Sequence, residues 1–120
     1  MFSDCLLSNL KVGYNSFCVV HSSDYDNLEL TRVIAHLYQI NNIVIIFGIL
    51  RINNNVKTTD VCVPKEFRPK NNIRILFLRN MINFGDNFST HDGGLSTEGY
   101  FYINGDSHNG PSLFCISYPL

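Results

Sequence analysis

Residues 31–55 read TRVIAHLYQINNIVIIFGILRINNN, and this stretch decides the fold. Two apolar runs, either side of Asn41-Asn42, are built from Ile, Val, Leu, Phe and Tyr, and the second ends on Asn53-Asn54-Asn55. Branched and aromatic side chains of these types favour a pleated, half-buried surface. Asparagine tolerates the left-handed backbone of tight turns, so both Asn clusters are read as hairpin turns. Strands are therefore expected at 31–39, 43–52 and 57–63, forming a three-stranded meander.

Outward from this stretch the same reading continues. No segment sustains an i, i+3, i+4, i+7 apolar pattern built from good helix formers, and alanine occurs once, at Ala35. Further strands are expected at 11–20, 73–80, 97–104 and 112–118. The fold class is accordingly all-β: a single antiparallel β-sandwich or jelly-roll-like domain over residues 10–120, preceded by a short linker or shaft stub at residues 1–9. In the strand from 73, Ile73, Ile75 and Phe77 alternate with Arg74, Leu76 and Leu78, which gives one core face and one mixed face available to another subunit. Between Asn80 and Thr97, the residues Gly85, Asp86, Asn87, His91, Asp92, Gly93 and Gly94 read as a long exposed loop. Residues 104–111 form a second polar connection before the closing strand.

Composition narrows the function classes. At 120 residues the chain matches one typical domain. Charged residues make up 16%, below the roughly 25% of an average soluble domain, and Asn fills much of the polar surface. Such a surface suits neutral, hydroxyl-rich ligands or packing against copies of itself. A net charge of -1 and a pI near 6.4, with no Lys/Arg stripe, argue against nucleic acid as a partner. The longest apolar run, Ile43 to Leu50, is far below the ~20 residues of a membrane-crossing helix, so no membrane insertion is expected. Residues 1–10 lack the cationic start of a signal peptide.

Cys5, Cys18, Cys62 and Cys115 are scattered, without a CxxC pair or a histidine at zinc-ligand spacing. No metal and no cofactor is expected. Cys62, between Val61 and Val63, and Cys115, between Phe114 and Ile116, read as buried free thiols. Catalysis is not expected either. A glycosidase places two carboxylates across the scissile bond, and the acidic residues here lie mostly in turns with no obvious pair. Nucleophile elbows, HExxH pairs and phosphate loops are absent from the sequence.

The most specific block is Val61-Cys62-Val63-Pro64-Lys65-Glu66-Phe67-Arg68-Pro69. Pro64 removes a ladder donor, Phe67 can fold back as an apolar plug, and the residue before Pro69 is pushed to extended backbone. Arg68 can cover apolar surface with its stem while its head bonds carbonyls. The block resembles the "LP-x-x-FRP" corner of phage tail fibre and baseplate receptor-binding heads. The likeness extends from about residue 30 through Ile73–Phe77 and Gly99–Gly105 to a closing strand, Ser112–Tyr118. It departs from that pattern at Cys62, where small or Leu residues are usual, and in lacking a Trp before the last strand. The resemblance implies a homotrimeric C-terminal head domain that joins other phage tail proteins at the tail tip or fibre of a virion, is made in the host cytoplasm, and attaches to a bacterial cell-surface saccharide. The alternatives are a structural tail or collar component without receptor binding, and a non-viral jelly-roll lectin. Pro64, Phe67, Arg68 and Pro69 are assigned to the structural corner.

Saccharide recognition needs a flat aromatic face with fixed donors and acceptors. Tyr100 and Tyr102 alternate with Phe101 and Ile103, which puts both on the face away from the core, for sugar stacking or for subunit packing. The pairs Asp106 with His108 and His91 with Asp92 each offer a carboxylate and an imidazole, although such pairs are more often solvated turns. His36 is expected to be packed within its strand or at a subunit contact, and His21 to be a loop residue.

Overall fold

A computed structural model of the chain describes residues 15–79 and 90–120. It is all-β. Among the described residues seven strands form one antiparallel sheet: β1 (Asn15–His21), β2 (Arg32–Ile40), β3 (Ile43–Ile52), β4 (Ile73–Arg79), β5 (Thr90–Leu95), β6 (Phe101–Ile103) and β7 (Gly110–Pro119). Their spatial order is β1-β2-β3-β7-β4-β5-β6. Among the described residues no helix is long and apolar enough to cross a membrane. The stub at 1–9, the first residues of the strand expected from 11, Cys5, and the loop residues Gly85, Asp86 and Asn87 lie outside the described residues.

Asn41-Asn42 does close a two-residue hairpin between β2 and β3, with Asn41 in the left-handed region at φ 55°. β3 then runs antiparallel along the whole of β7, from Ile43 opposite Pro119 to Ile52 opposite Gly110. Among the described residues, β4 pairs in the ladder with β7 through Leu78 opposite Leu113 and Arg79 opposite Ser112. From there β4 diverges, and the sheet curls so that β4-β5-β6 folds over the inner face of β1-β2-β3-β7. The Phe77 ring from one half stands edge-on to Phe114 of the other at 5.5 Å, and Phe101 lies 5.2 Å from Phe114.

Period-2 alternation fills the space between the halves. Val33, Ala35 and Leu37, then Val44 and Ile46, then Phe114, Ile116 and Tyr118 point inward from the long strands, and Ile75, Phe77, Leu95, Phe101 and Ile103 close the core from the other side. Each large apolar chain buried in this way contributes on the order of 1.5–3 kcal/mol.

Two expectations are corrected. No strand forms over 57–63. Lys57 and Thr59 do bond along β6, the Lys57 carbonyl accepting from Ile103 N–H and Thr59 N–H donating to the Phe101 carbonyl. The Thr59 hydroxyl, not a carbonyl, receives Phe101 N–H, and the Cys62 and Val63 amides both turn onto the Gly99 carbonyl. A side-chain oxygen thus replaces a ladder acceptor and the chain bends away. The meander consequently runs through β1, β2 and β3, and Asn53 bridges only to Val56 in a local turn. The second correction is β5. Residues 90–95 form a strand between β4 and β6, not an exposed loop, because Gly93 and Gly94 permit contacts no side chain would allow. A Cβ on Gly93 would stand 2.1 Å from the Tyr102 carbonyl oxygen and 2.8 Å from the Phe77 ring. Glycine within a strand marks such close approach.

The corner at 61–69 forms as the residue chemistry predicts. Lys65–Phe67 make a single 3-10 turn, Phe67 is buried, and Arg68 continues in extended conformation into the buried Pro69. Arg68 Nε donates to the Val63 carbonyl at 2.8 Å.

Candidate functional site

The outer surface of β4-β5-β6 gathers part of the candidate set. In register, Arg74 lies opposite Gly94, Gly94 opposite Tyr102, and Leu76 opposite Asp92. Gly94 leaves bare backbone at the centre of this surface, and the Tyr102 ring lies across it: a Cβ there would stand 2.4 Å from the Tyr102 hydroxyl and 2.6 Å from its ring carbon. Tyr100 follows on the same face, its ring 6.3 Å from that of Tyr102. Both tyrosines are half-buried, while Phe101 and Ile103 between and beside them are in the core.

Beside the tyrosines is a chain of polar groups. Arg74 Nε donates to Asp92 Oδ1 at 2.9 Å, and Asn104 Nδ2 donates to Asp92 Oδ2 at 3.1 Å. The Asn104 amide also donates to the Asp92 carbonyl at 2.8 Å, which holds the end of β6 to β5. The Arg74 hydrogen bond first, and then that from Asn104, hold the Asp92 carboxyl below its ordinary pKa. Arg74 and Asp92 both remain open to solvent, with side chains 76% and 42% exposed. A charged pair this exposed adds little stability. What it supplies is orientation: fixed donors and acceptors of both kinds next to an aromatic ring.

The other three candidates are elsewhere. His91 points inward, buried, with its ring 6.2 Å from His108 and edge-on to it. Its Nε2 has no hydrogen-bond partner among the described residues. Burial first, and then the charges of His108 and Arg79, push the His91 pKa down, so the ring is held neutral. Asp106 pairs with Lys57 at 3.2 Å and is almost fully exposed. The 104–110 connection that carries Asp106 and His108 is fastened by Asn54, whose side-chain amide bonds both the carbonyl and the N–H of Ser107, while Asn54 N–H donates to Asn109 Oδ1 at 3.0 Å. Asp92 is thus separated from His91 by the alternation of β5, and joins the tyrosines.

Sequence reading missed Arg74, Gly94 and Asn104 as members of this surface. The available signal was the pairing of two adjacent glycines with the Tyr-x-Tyr alternation six residues on, since bare backbone beside an aromatic strand makes a platform.

A cleft of about 240 Å³ has Ser22, Asp24, Thr31, Arg32, Thr59 and Asp60 in its lining. Several of its polar groups are already engaged in the fold. Thr31 Oγ1 donates to the Asn53 carbonyl, Arg32 to the Leu30 carbonyl, and both the amide and hydroxyl of Ser23 to Asp60. It is also smaller than the roughly 300–1,000 Å³ of usual ligand pockets. The open tyrosine surface is the better candidate.

The cysteines are thiols without redox partners among the described residues. Cys18 and Cys62 are partly buried, and burial pushes the Cys62 thiol up to about 12. Cys115, expected in the core, is exposed on the outer face of β7, because the period-2 register assigns the core to its neighbours Phe114 and Ile116. Comparison of the chain with protein-family models, with curated proteins and with solved structures found no match.

Proposed function

We propose that this chain is the receptor-binding head of a phage tail fibre or baseplate protein: a homotrimeric, non-catalytic module that holds a bacterial cell-surface saccharide on the outer surface of β4-β5-β6. The phage assignment is supported by the resemblance at the Val61–Pro69 corner and the closing strand. The binding role is supported chiefly by one observation, the Tyr102 ring lying across the bare backbone of Gly94 beside the Arg74-Asp92-Asn104 hydrogen-bond chain. A pyranose presents an apolar C–H face and a rim of hydroxyls. The ring offers a stacking partner for the first, and the carboxylate, amide and guanidinium offer acceptors and donors for the second. In this reading Tyr102 and Tyr100 stack, Asp92 and Asn104 bond hydroxyl pairs, and Arg74 positions Asp92. Single-site affinity on so shallow a surface is low, and many copies on one virion convert it to stable attachment.

The test is a glycan array followed by calorimetric titration of cell-wall saccharides from candidate host bacteria. Tyr102→Ala should reduce affinity at least tenfold, about 1.4 kcal/mol, while Asp106→Ala with His108→Ala leaves it unchanged. A correctly folded oligomer that adsorbs to no glycan and no host cell would instead point to a structural tail component.

A further inference from the structure

We infer that copies of this chain associate through the outer face of β1-β2-β3-β7, on the opposite half of the sheet from the tyrosine surface. The inference specifies where subunits of the proposed oligomer meet, and does not depend on what the tyrosine surface binds.

The sequence of β3 already points this way. Ile43 to Leu50 is a near-continuous apolar run, the pattern of a strand covered on both faces. Among the described residues, the Val44, Ile46 and Leu50 side is buried in the core, while the other side is left partly or largely exposed. On the other side, Phe17 is 57% exposed, Val19 52%, Leu113 42%, Ile43 41%, Phe47 39% and Ile34 36%. These residues are contiguous through the register: Val19 lies opposite His36, His36 opposite Phe47, and Phe47 opposite Cys115. The Phe17 ring packs against His36 at 5.9 Å and against Tyr38 at 4.9 Å, and Phe47 packs against the same two rings at 5.6 and 5.7 Å. The rings therefore brace one another.

Area and charge identify the occupant. At roughly 150–250 Å² for a whole large side chain, the six exposed residues present on the order of 450 Å² of apolar surface. That is about the apolar share of one partner's side of a standard interface, near 800 Å² in total with somewhat over half of it non-polar. The chain has nine Lys and Arg and ten Asp and Glu, yet only Arg32 and Arg51 fall within these four strands. Both are engaged at one end, Arg32 with the Leu30 carbonyl and Arg51 with the Tyr25 hydroxyl. A face without formal charge across its middle offers nothing to an ionic partner. It is complementary to another neutral apolar face, and a second copy carries one.

The experiment is sedimentation equilibrium of the full chain at tens of micromolar, with Phe17→Lys, Phe47→Lys and, as a control on the other half-sheet, Leu76→Lys. The wild type and Leu76→Lys should be oligomers. Each of the first two variants should raise the dissociation constant at least a hundredfold and give folded monomers of near 13.7 kDa. Should the lysine variants fail to fold, the native chain still reports through Cys115, which is exposed opposite Phe47: its alkylation, read by mass spectrometry, should slow as protein concentration rises. A monomeric wild type, concentration-independent labelling of Cys115, or dissociation by Leu76→Lys and not by Phe47→Lys would overturn the inference. Glycan binding by the monomeric variants, measured separately, isolates the fate of the receptor reading.

Discussion

The Tyr118 hydroxyl donates to the Phe67 carbonyl at 2.5 Å, in the core. One hydrogen bond thereby ties the closing strand to the 3-10 turn of the Pro-bounded corner, 51 residues away in sequence. Burial pushes the Tyr118 pKa well above its ordinary value, so the hydroxyl remains a donor at any physiological pH.

Tyr118→Phe keeps the ring and removes the donor, leaving the Phe67 carbonyl buried without it. Loss of about 1–3 kcal/mol of unfolding free energy is expected, measured by urea denaturation with an unchanged m-value. Saccharide binding should survive. A variant as stable as the wild type would show that the bond adds nothing to the fold.

Gly99 has φ +91°, and a Cβ there would stand 2.5 Å from Arg68 Nε and 2.8 Å from the Val63 carbonyl oxygen. Its own carbonyl receives the amides of both Cys62 and Val63. Gly99→Ala therefore combines backbone strain with a clash at the corner, and on the order of 1–3 kcal/mol of destabilisation is expected. Arg68→Ala in the same background should recover part of the loss, because it removes one of the two clashing groups. Strict additivity of the two substitutions would contradict this geometry.

The Asp92 carboxyl is held below its ordinary range by Arg74 first and Asn104 second. A depressed folded-state value means that its contribution is present above the unfolded pKa and is lost as pH falls through the folded one. Carbon-detected NMR titration should find the Asp92 midpoint below the ordinary carboxylate range. Arg74→Ala should move its midpoint upward and weaken saccharide binding, with little effect on melting temperature.

His91 also loses stability on acidification, but through burial of its ring and not through loss of a charged partner. Its folded-state pKa is lowered, so below about pH 6.5 the unfolded chain takes up a proton that the folded chain refuses. Stability should fall as the pH drops through that value and level off only below the folded pKa. His91→Phe, which also removes the unpartnered Nε2, should flatten this slope between about pH 7.5 and 5.5 in denaturant titrations. The same slope in wild type and variant would assign the pH dependence to other groups.

Much of the architecture was legible in local pattern. Asn41-Asn42 marks the β2–β3 turn because few other residues accept that backbone, whereas Cys115, taken for a core thiol between Phe114 and Ile116, lies on the outer face that their alternation leaves to it. The Pro64–Pro69 corner was readable because proline restricts the backbone whatever surrounds it. The strand at 57–63 was misread, since nothing local reveals that the Thr59 hydroxyl replaces a carbonyl in the ladder with β6. β5 was missed for the converse reason: Asp92-Gly93-Gly94 has turn composition, and its extended conformation comes from Phe77 and Tyr102 on the neighbouring strands.

Of the candidate surface, Tyr100, Tyr102 and Asp92 were candidates by residue type, and the alternation placed the two tyrosines away from the core. That Asp92 belongs with them and with Arg74, and that His91 does not, depends on the register of β5 between β4 and β6. The sequence by itself determined an all-β chain, its main hairpin, its corner, the core face of β4 and the outward placing of Tyr100 and Tyr102, because these follow from backbone restriction and period-2 alternation. Only the tertiary structure decided how β4 diverges from β7 to curl the sheet, and which outward faces lie bare. Those outcomes depend on contacts between residues distant in sequence, such as Phe77 with Phe114 and Tyr102 with Gly94, which no local pattern encodes.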